Sequence, residues 1–135
     1  MALMAWSPTF SVKVKQFDDQ HIKLVNMVNE LHDAMREGKG KEILGKILND
    51  LITYTATHFK DEEKLLAQHS YPELSQHKAI HETLVKQVLE LQAKFKSGQA
   101  ILTLDVMTFL KDWLVKHIQG DDKKYGVYLN GKGVV

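Results

Sequence analysis

LSQHKAIHETLVKQVLELQAKF, residues 74–95, sets the fold. Leu74, His77, His81, Leu84, Val88, Leu91 and Phe95 recur in steps of three and four, which lines one face of an α-helix. Three other stretches repeat the pattern. Phe17, His21, Leu24, Val28, Leu31 and Met35 run up to Gly38 and Gly40. Ile47, Leu51, Tyr54, His58, Glu62 and Leu65 run up to Ser70-Tyr71-Pro72-Glu73, where Ser70 and Glu73 are spaced as a capping box for the next helix. Leu102, Val106, Leu110, Trp113 and His117 follow the Ser97-Gly98 break and end at Gly120.

Four amphipathic helices with short connections favour antiparallel neighbours. The expected fold is therefore all-α: a single domain over 1–135 built as an up-down-up-down four-helix bundle. An N-terminal arm over 1–16, with strand-like alternation in Phe10, Val12 and Val14, is expected along the bundle of 17–119. Within a C-terminal segment over 120–135, the part from Lys123 carries three glycines and is expected to be irregular.

Composition narrows the function. A formal charge of +1, with cations and carboxylates interspersed, leaves no basic footprint for nucleic acid and predicts a monomer. The absence of cysteine excludes disulfides, thiolate zinc sites, iron–sulfur clusters and cysteine nucleophiles. No apolar run reaches the roughly 20 residues needed to span a bilayer. MALMAWSPTF lacks a basic n-region, so no secretory signal is expected and the predicted location is cytoplasmic.

Polar residues interrupt the apolar stripes at matching depth. His21, His58, His81 and His117 all lie roughly 22–26 Å from one end of the bundle at ~1.5 Å per residue, and Glu62 and His77 stand four residues from His58 and His81 on the same faces. Polar side chains at core positions need partners, and metal ions would supply them. Just past the fourth helix, Asp121 and Asp122 both stand within reach by spacing alone, with Gly120 letting the chain turn back over the site. Five imidazoles and two carboxylates favour iron over calcium or magnesium, with zinc and manganese equally compatible by residue type. If two octahedral ions share both carboxylates and a bridging oxo or hydroxo group, eleven of twelve positions are filled. One stays open for a small diatomic ligand. His32 and His69, eleven residues beyond His21 and His58, should lie ~16 Å along the axis as surface or helix-end histidines.

FDDQH at 17–21, HFKDEE at 58–63, HKAIH at 77–81 and WLVKHIQGDDKKY at 113–125 resemble the hemerythrins, specifically single-domain bacterial ones. The family's H-x-x-x-x-D pattern selects Asp122. The resemblance implies that His77, His81 and His117 hold one saturated iron and that His21 and His58 hold the open one. Glu62 and Asp122 would bridge. It also implies reversible O2 binding at the open iron, with Leu24, Phe59, Trp113, Leu114 and Ile118 lining the pocket.

The leading expectation is therefore reversible O2 binding at a non-haem di-iron centre (Fe2+/Fe3+) for storage, transport or delivery to an O2-consuming enzyme, with NO or anions such as azide as other ligands. One alternative is a di-iron oxidase or oxygenase, although bundle enzymes of that type use more carboxylates. Another is an O2, NO or redox sensor acting through a partner. A binding protein rather than an enzyme is expected.

Overall fold

The computed structural model describes residues 4–98 and 104–135. Helices α1 (Lys15–Arg36), α2 (Lys41–Gln68), α3 (Leu74–Lys96) and α4 (Leu104–Lys116) form the bundle, with no strand among the described residues. α1 packs on α2 and α4, and α2 packs on α3. Leu102, placed on the fourth stripe, lies outside the described residues. Beyond α4 come a π-helical turn, His117–Asp122, and a further helix α5, Lys123–Gly131.

Turn chemistry sets the helix ends. α1 closes with Gly38 at φ 72°, Gly38 N bonded to Met35 O at 3.1 Å and Lys39 N to Ala34 O at 3.0 Å, a Schellman arrangement. α2 closes the same way without glycine. Ser70 takes φ 55°, and Tyr71 N reaches Leu66 O at 3.0 Å. The capping box expected at Ser70 and Glu73 is therefore absent: Ser70 serves the C-terminus of α2, and α3 starts from Glu73 without a side-chain cap. The Glu73 carboxylate instead accepts the Tyr71 hydroxyl.

Two further expectations are corrected. The arm lies along the bundle with Phe10, Val12 and Val14 buried, but Phe10 ends a 3-10 turn, Pro8–Phe10, and no strand pairs there. Side chains rather than a partner strand satisfy its backbone. Asn29 of α1 exchanges two hydrogen bonds with Met4, Asp18 accepts Val12 N and the Ser11 hydroxyl, and Asn130 donates to Lys13 O. Nor is the C-terminal segment irregular. Gly120 does not stop the helix, and α5 buries Tyr125 and Leu129 against Val12, Val14, Phe17, Leu66 and Tyr71. That tertiary burial overrides the poor helix propensity of the glycines.

The apolar interior has two parts. A large cluster including Leu24, Leu31, Leu48, Phe59, Leu110 and Leu114 fills the bundle, and the smaller one sits beneath the arm and α5.

Gly126 is where the arm presses on α5. A Cβ there would meet Val12 O at 2.4 Å, a backbone atom that cannot swing aside. Gly126→Ala should lower stability by about 1–3 kcal/mol despite alanine's better helix propensity. Denaturant unfolding measures it, and an unchanged midpoint would show that the arm gives way freely.

Candidate metal centre

Four segments converge on one buried point. His21 comes from α1, His58 and Glu62 from α2, His77 and His81 from α3, and His117 and Asp122 from the π-helical turn, none more than 5% exposed. The pairs four apart share a helix face by ordinary α geometry. His117 and Asp122 do not, since five residues at 3.6 per turn would leave them about 140° apart. The π-helical turn, whose hydrogen bonds close over five residues, restores them to one side. Asp122 thus lies inside a continuous helical segment rather than past the end of a helix.

Each carboxylate offers one oxygen to each of two histidine groups. Glu62 Oε1 lies 3.1 Å from His81 Nε2 and 3.4 Å from His77 Nε2. Asp122 Oδ1 lies 3.1 Å from His117 Nε2 and 3.4 Å from His77 Nε2. On the other side, Glu62 Oε2 is 3.0 Å from His58 Nε2 and 3.2 Å from His21 Nε2, and Asp122 Oδ2 is 3.0 Å from His21 Nε2. The donor atoms thus fall into two sets, Glu62-His77-His81-His117-Asp122 and His21-His58-Glu62-Asp122, each within 4.8 Å and sharing both carboxylates.

Hydrogen bonding alone does not satisfy this arrangement. His58 Nδ1 faces Gln20 Oε1 at 2.5 Å, His81 Nδ1 faces Glu63 at 2.7 Å, and His117 Nδ1 faces Asp121 at 3.3 Å. All three are acceptors, so a neutral ring keeps its proton on Nδ1 and turns a lone pair at Nε2 toward carboxylate oxygens. The Nε2 atoms of His58, His81 and His117, and both oxygens of Asp122, are buried without a hydrogen-bond partner. Lone pairs facing carboxylate oxygens repel unless a cation stands between them. The donor set therefore fits two metal ions.

Electrostatics agree. Burial, and then the charge of Glu62, push the Asp122 carboxyl well above the usual carboxylate range. Burial acts on Glu62 as well, but the neighbouring histidines, His58 first and then His21 and His77, outweigh it and hold Glu62 well below that range. Burial depresses His77, but its hydrogen bond to Glu62 and the charge of Asp122 more than compensate and raise it. A cation between the carboxylates would let both ionise.

Of the two candidate aspartates, Asp122 is fully buried among the donors, whereas Asp121 sits at the far nitrogen of His117. Phe59 stacks on the His81 ring at 3.8 Å and meets His117 edge-on at 5.4 Å. Leu24, Trp113, Leu114 and Ile118 are buried in the same apolar cluster as Phe59. His69 caps α2, half-buried, as a helix-end histidine should. His32 departs from expectation. It is only 5% exposed, because His21, Val25, Val28 and His32 continue one stripe of α1 into the core. Neither residue belongs to the two donor sets.

Sequence periodicity missed four polar contributors. Gln20 and Glu63 adjoin donor residues in the chain and so project about 100° away, where face-counting does not look. Asp121 entered only as a rival to Asp122. Tyr125, whose hydroxyl donates to Glu62 Oε2 at 2.5 Å, fell in the stretch expected to be irregular. Burial, then Glu62 and Asp122, push its phenol well above its ordinary range, so it stays a donor.

The hemerythrin HHE cation binding domain matches residues 12–129. The chain is 44% identical to the bacteriohemerythrin of Methylococcus capsulatus, over 96% of this chain and 99% of that one. It is 34% identical to the bacteriohemerythrin of Stenotrophomonas maltophilia, over 93% and 80%. A crystal structure of wild-type hemerythrin superposes with a TM-score of 0.87 at 42% identity, over 93% of this chain and 96% of that one.

His32→Leu should leave metal uptake at the wild-type stoichiometry, whereas His81→Ala should reduce it. Metal analysis of purified protein decides this, and metal loss on replacing His32 would show that the donor cluster extends further down α1.

Proposed function

Because the chain belongs to the hemerythrin family, whose members bind O2 at a non-haem di-iron centre, we propose that its two donor sets hold the two irons and that O2 binds reversibly at one of them. The observation that carries this reading is the division of the two carboxylates, each presenting one oxygen to either histidine group. His77, His81 and His117 would hold one ion and His21 and His58 the other, with Glu62 and Asp122 bridging. When bound, the iron pair with its oxo or hydroxo group would supply the two electrons that O2 binding takes up, and the two-histidine set, with fewer protein donors, would leave room for the ligand.

The chain supplies the rest. Its imidazoles donate without adding charge, which suits a centre that must return to its reduced state. The oxidase reading gains no support from a cluster of two carboxylates against five imidazoles, and members of this family are O2-binding proteins rather than enzymes. Leu24, Phe59, Trp113, Leu114 and Ile118 form the proposed wall of the O2 pocket. Their burial keeps water and protons away from bound ligand. Stacking of Phe59 on His81 also fixes the orientation of that ring.

We place this protein in O2 storage, transport or delivery to an O2-consuming enzyme, acting as a monomer in the cytoplasm, with NO and azide as further ligands of the open position. No helix among the described residues is long and apolar enough to cross a membrane.

Anaerobically reduced protein should gain a ligand-to-metal charge-transfer absorption on exposure to O2 and lose it on deoxygenation. Irreversible bleaching with turnover of an added substrate would favour the oxidase. Leu114→Ala should cost about 2–5 kcal/mol of stability and accelerate autoxidation by letting water in. Stopped-flow absorbance gives the rate, and an unchanged value would remove Leu114 from the wall.

A further inference from the structure

The far nitrogens of the histidines are not treated alike on the two sides. On the three-histidine side, His81 donates to the Glu63 carboxylate and His117 to the Asp121 carboxylate. On the two-histidine side, His58 donates to a neutral amide, Gln20, and His21 Nδ1 is buried with no partner. The Gln20 orientation is fixed, because its amide nitrogen donates to Asp61 at 3.0 Å and a carboxylate there can only accept. Beyond the far nitrogen of His58 the first anion, Asp61, is therefore one amide further from the ring. Tyr125 adds to the difference, since its hydroxyl donates to Glu62 Oε2, the bridging oxygen that faces His21 and His58.

We infer that these outer side chains make the two halves of the centre unequal donors. Glu63 and Asp121 strengthen the three-histidine half, while Gln20 and Tyr125 weaken the two-histidine half. The inference rests on the di-iron reading above. A carboxylate accepting the imidazole N–H pushes electron density into the ring and strengthens its bond to a metal. An amide carbonyl does so less, and a hydroxyl donating to a bridging oxygen draws density away from it. The half that keeps the open position is thus the electron-poorer one. It should hold its ion more loosely and favour the ferrous form, which O2 release requires it to regain.

The test is anaerobic removal of Fe2+ from the loaded protein by a ferrous chelator, followed as iron released per chain. Wild-type protein should bind two ions and release them in two phases, one ion each. Glu63→Gln should accelerate the slow phase, by roughly 10-fold or more, and leave the fast phase alone. The charge-conserving swap Gln20→Glu/Asp61→Asn moves the anion onto His58 and should slow the fast phase by a similar factor. Tyr125→Phe, which removes only a hydroxyl, should slow the fast phase too and serves if the swap fails to fold. Packing damage would accelerate both phases in every variant, so opposite directions on separate phases are the signature. Two ions leaving wild-type protein in one phase, or variants acting on the same phase or in the same direction, would overturn the inference and leave the di-iron reading standing. Fewer than two ions bound would overturn both.

Discussion

Two carboxylates, Glu62 and Asp122, lie side by side with no solvent exposure at the centre of the bundle. Unit charges about 4–5 Å apart repel by roughly 3–4 kcal/mol at an effective dielectric of ~20, before the cost of taking each from water. Positive charge between them is the one remedy that also satisfies the unpartnered Asp122 oxygens and histidine nitrogens. Metal binding at this cluster would therefore be linked to bundle stability, because the same seven side chains occupy core positions on all four supporting segments.

The apolar clusters make that linkage tolerable. Phe59, from the large cluster, packs against His58, His81 and His117, and Phe17 and Tyr125, from the small one, pack against His58 and His77. The polar layer is thus held between hydrophobic surfaces on both sides. Those surfaces keep the helices in register, and they keep the dielectric low enough for each polar contact to matter.

Sequence period made the bundle and six of the seven converging polar residues legible, because those follow from residues three and four apart, whereas Asp122 was singled out only by the family pattern. What escaped it lay off that period. The H-x-x-x-x-D spacing itself carried a signal: five apart is the wrong interval for an α-helix and the right one for a π-helical turn, so Gly120 marked a wide turn rather than a helix end. Ser70 illustrates a different limit. Ser-x-x-Glu fits a capping box on paper, but the same serine was already committed to closing the preceding helix in a left-handed conformation. His32 shows that a stripe read for candidate ligands must be followed past them, since the core continues where the converging donor sets stop.

The arm and the C-terminal helix do more than cover the bundle. Val12 packs against Gly126, Asn130 holds the Lys13 carbonyl, and Val12, Val14 and Phe17 share a cluster with Tyr125 and Leu129. The position of α5 is set by those contacts, and α5 carries the hydroxyl that reaches Glu62 while continuing directly from the turn that carries Asp122. Both shared carboxylates are therefore oriented from the same end of the chain, one through its own backbone and one through a tyrosine. A displacement of α5 would move Asp122 and release the Tyr125 hydrogen bond together, so the arm, which contributes no atom to either donor set, helps determine how both carboxylates are presented to the histidines.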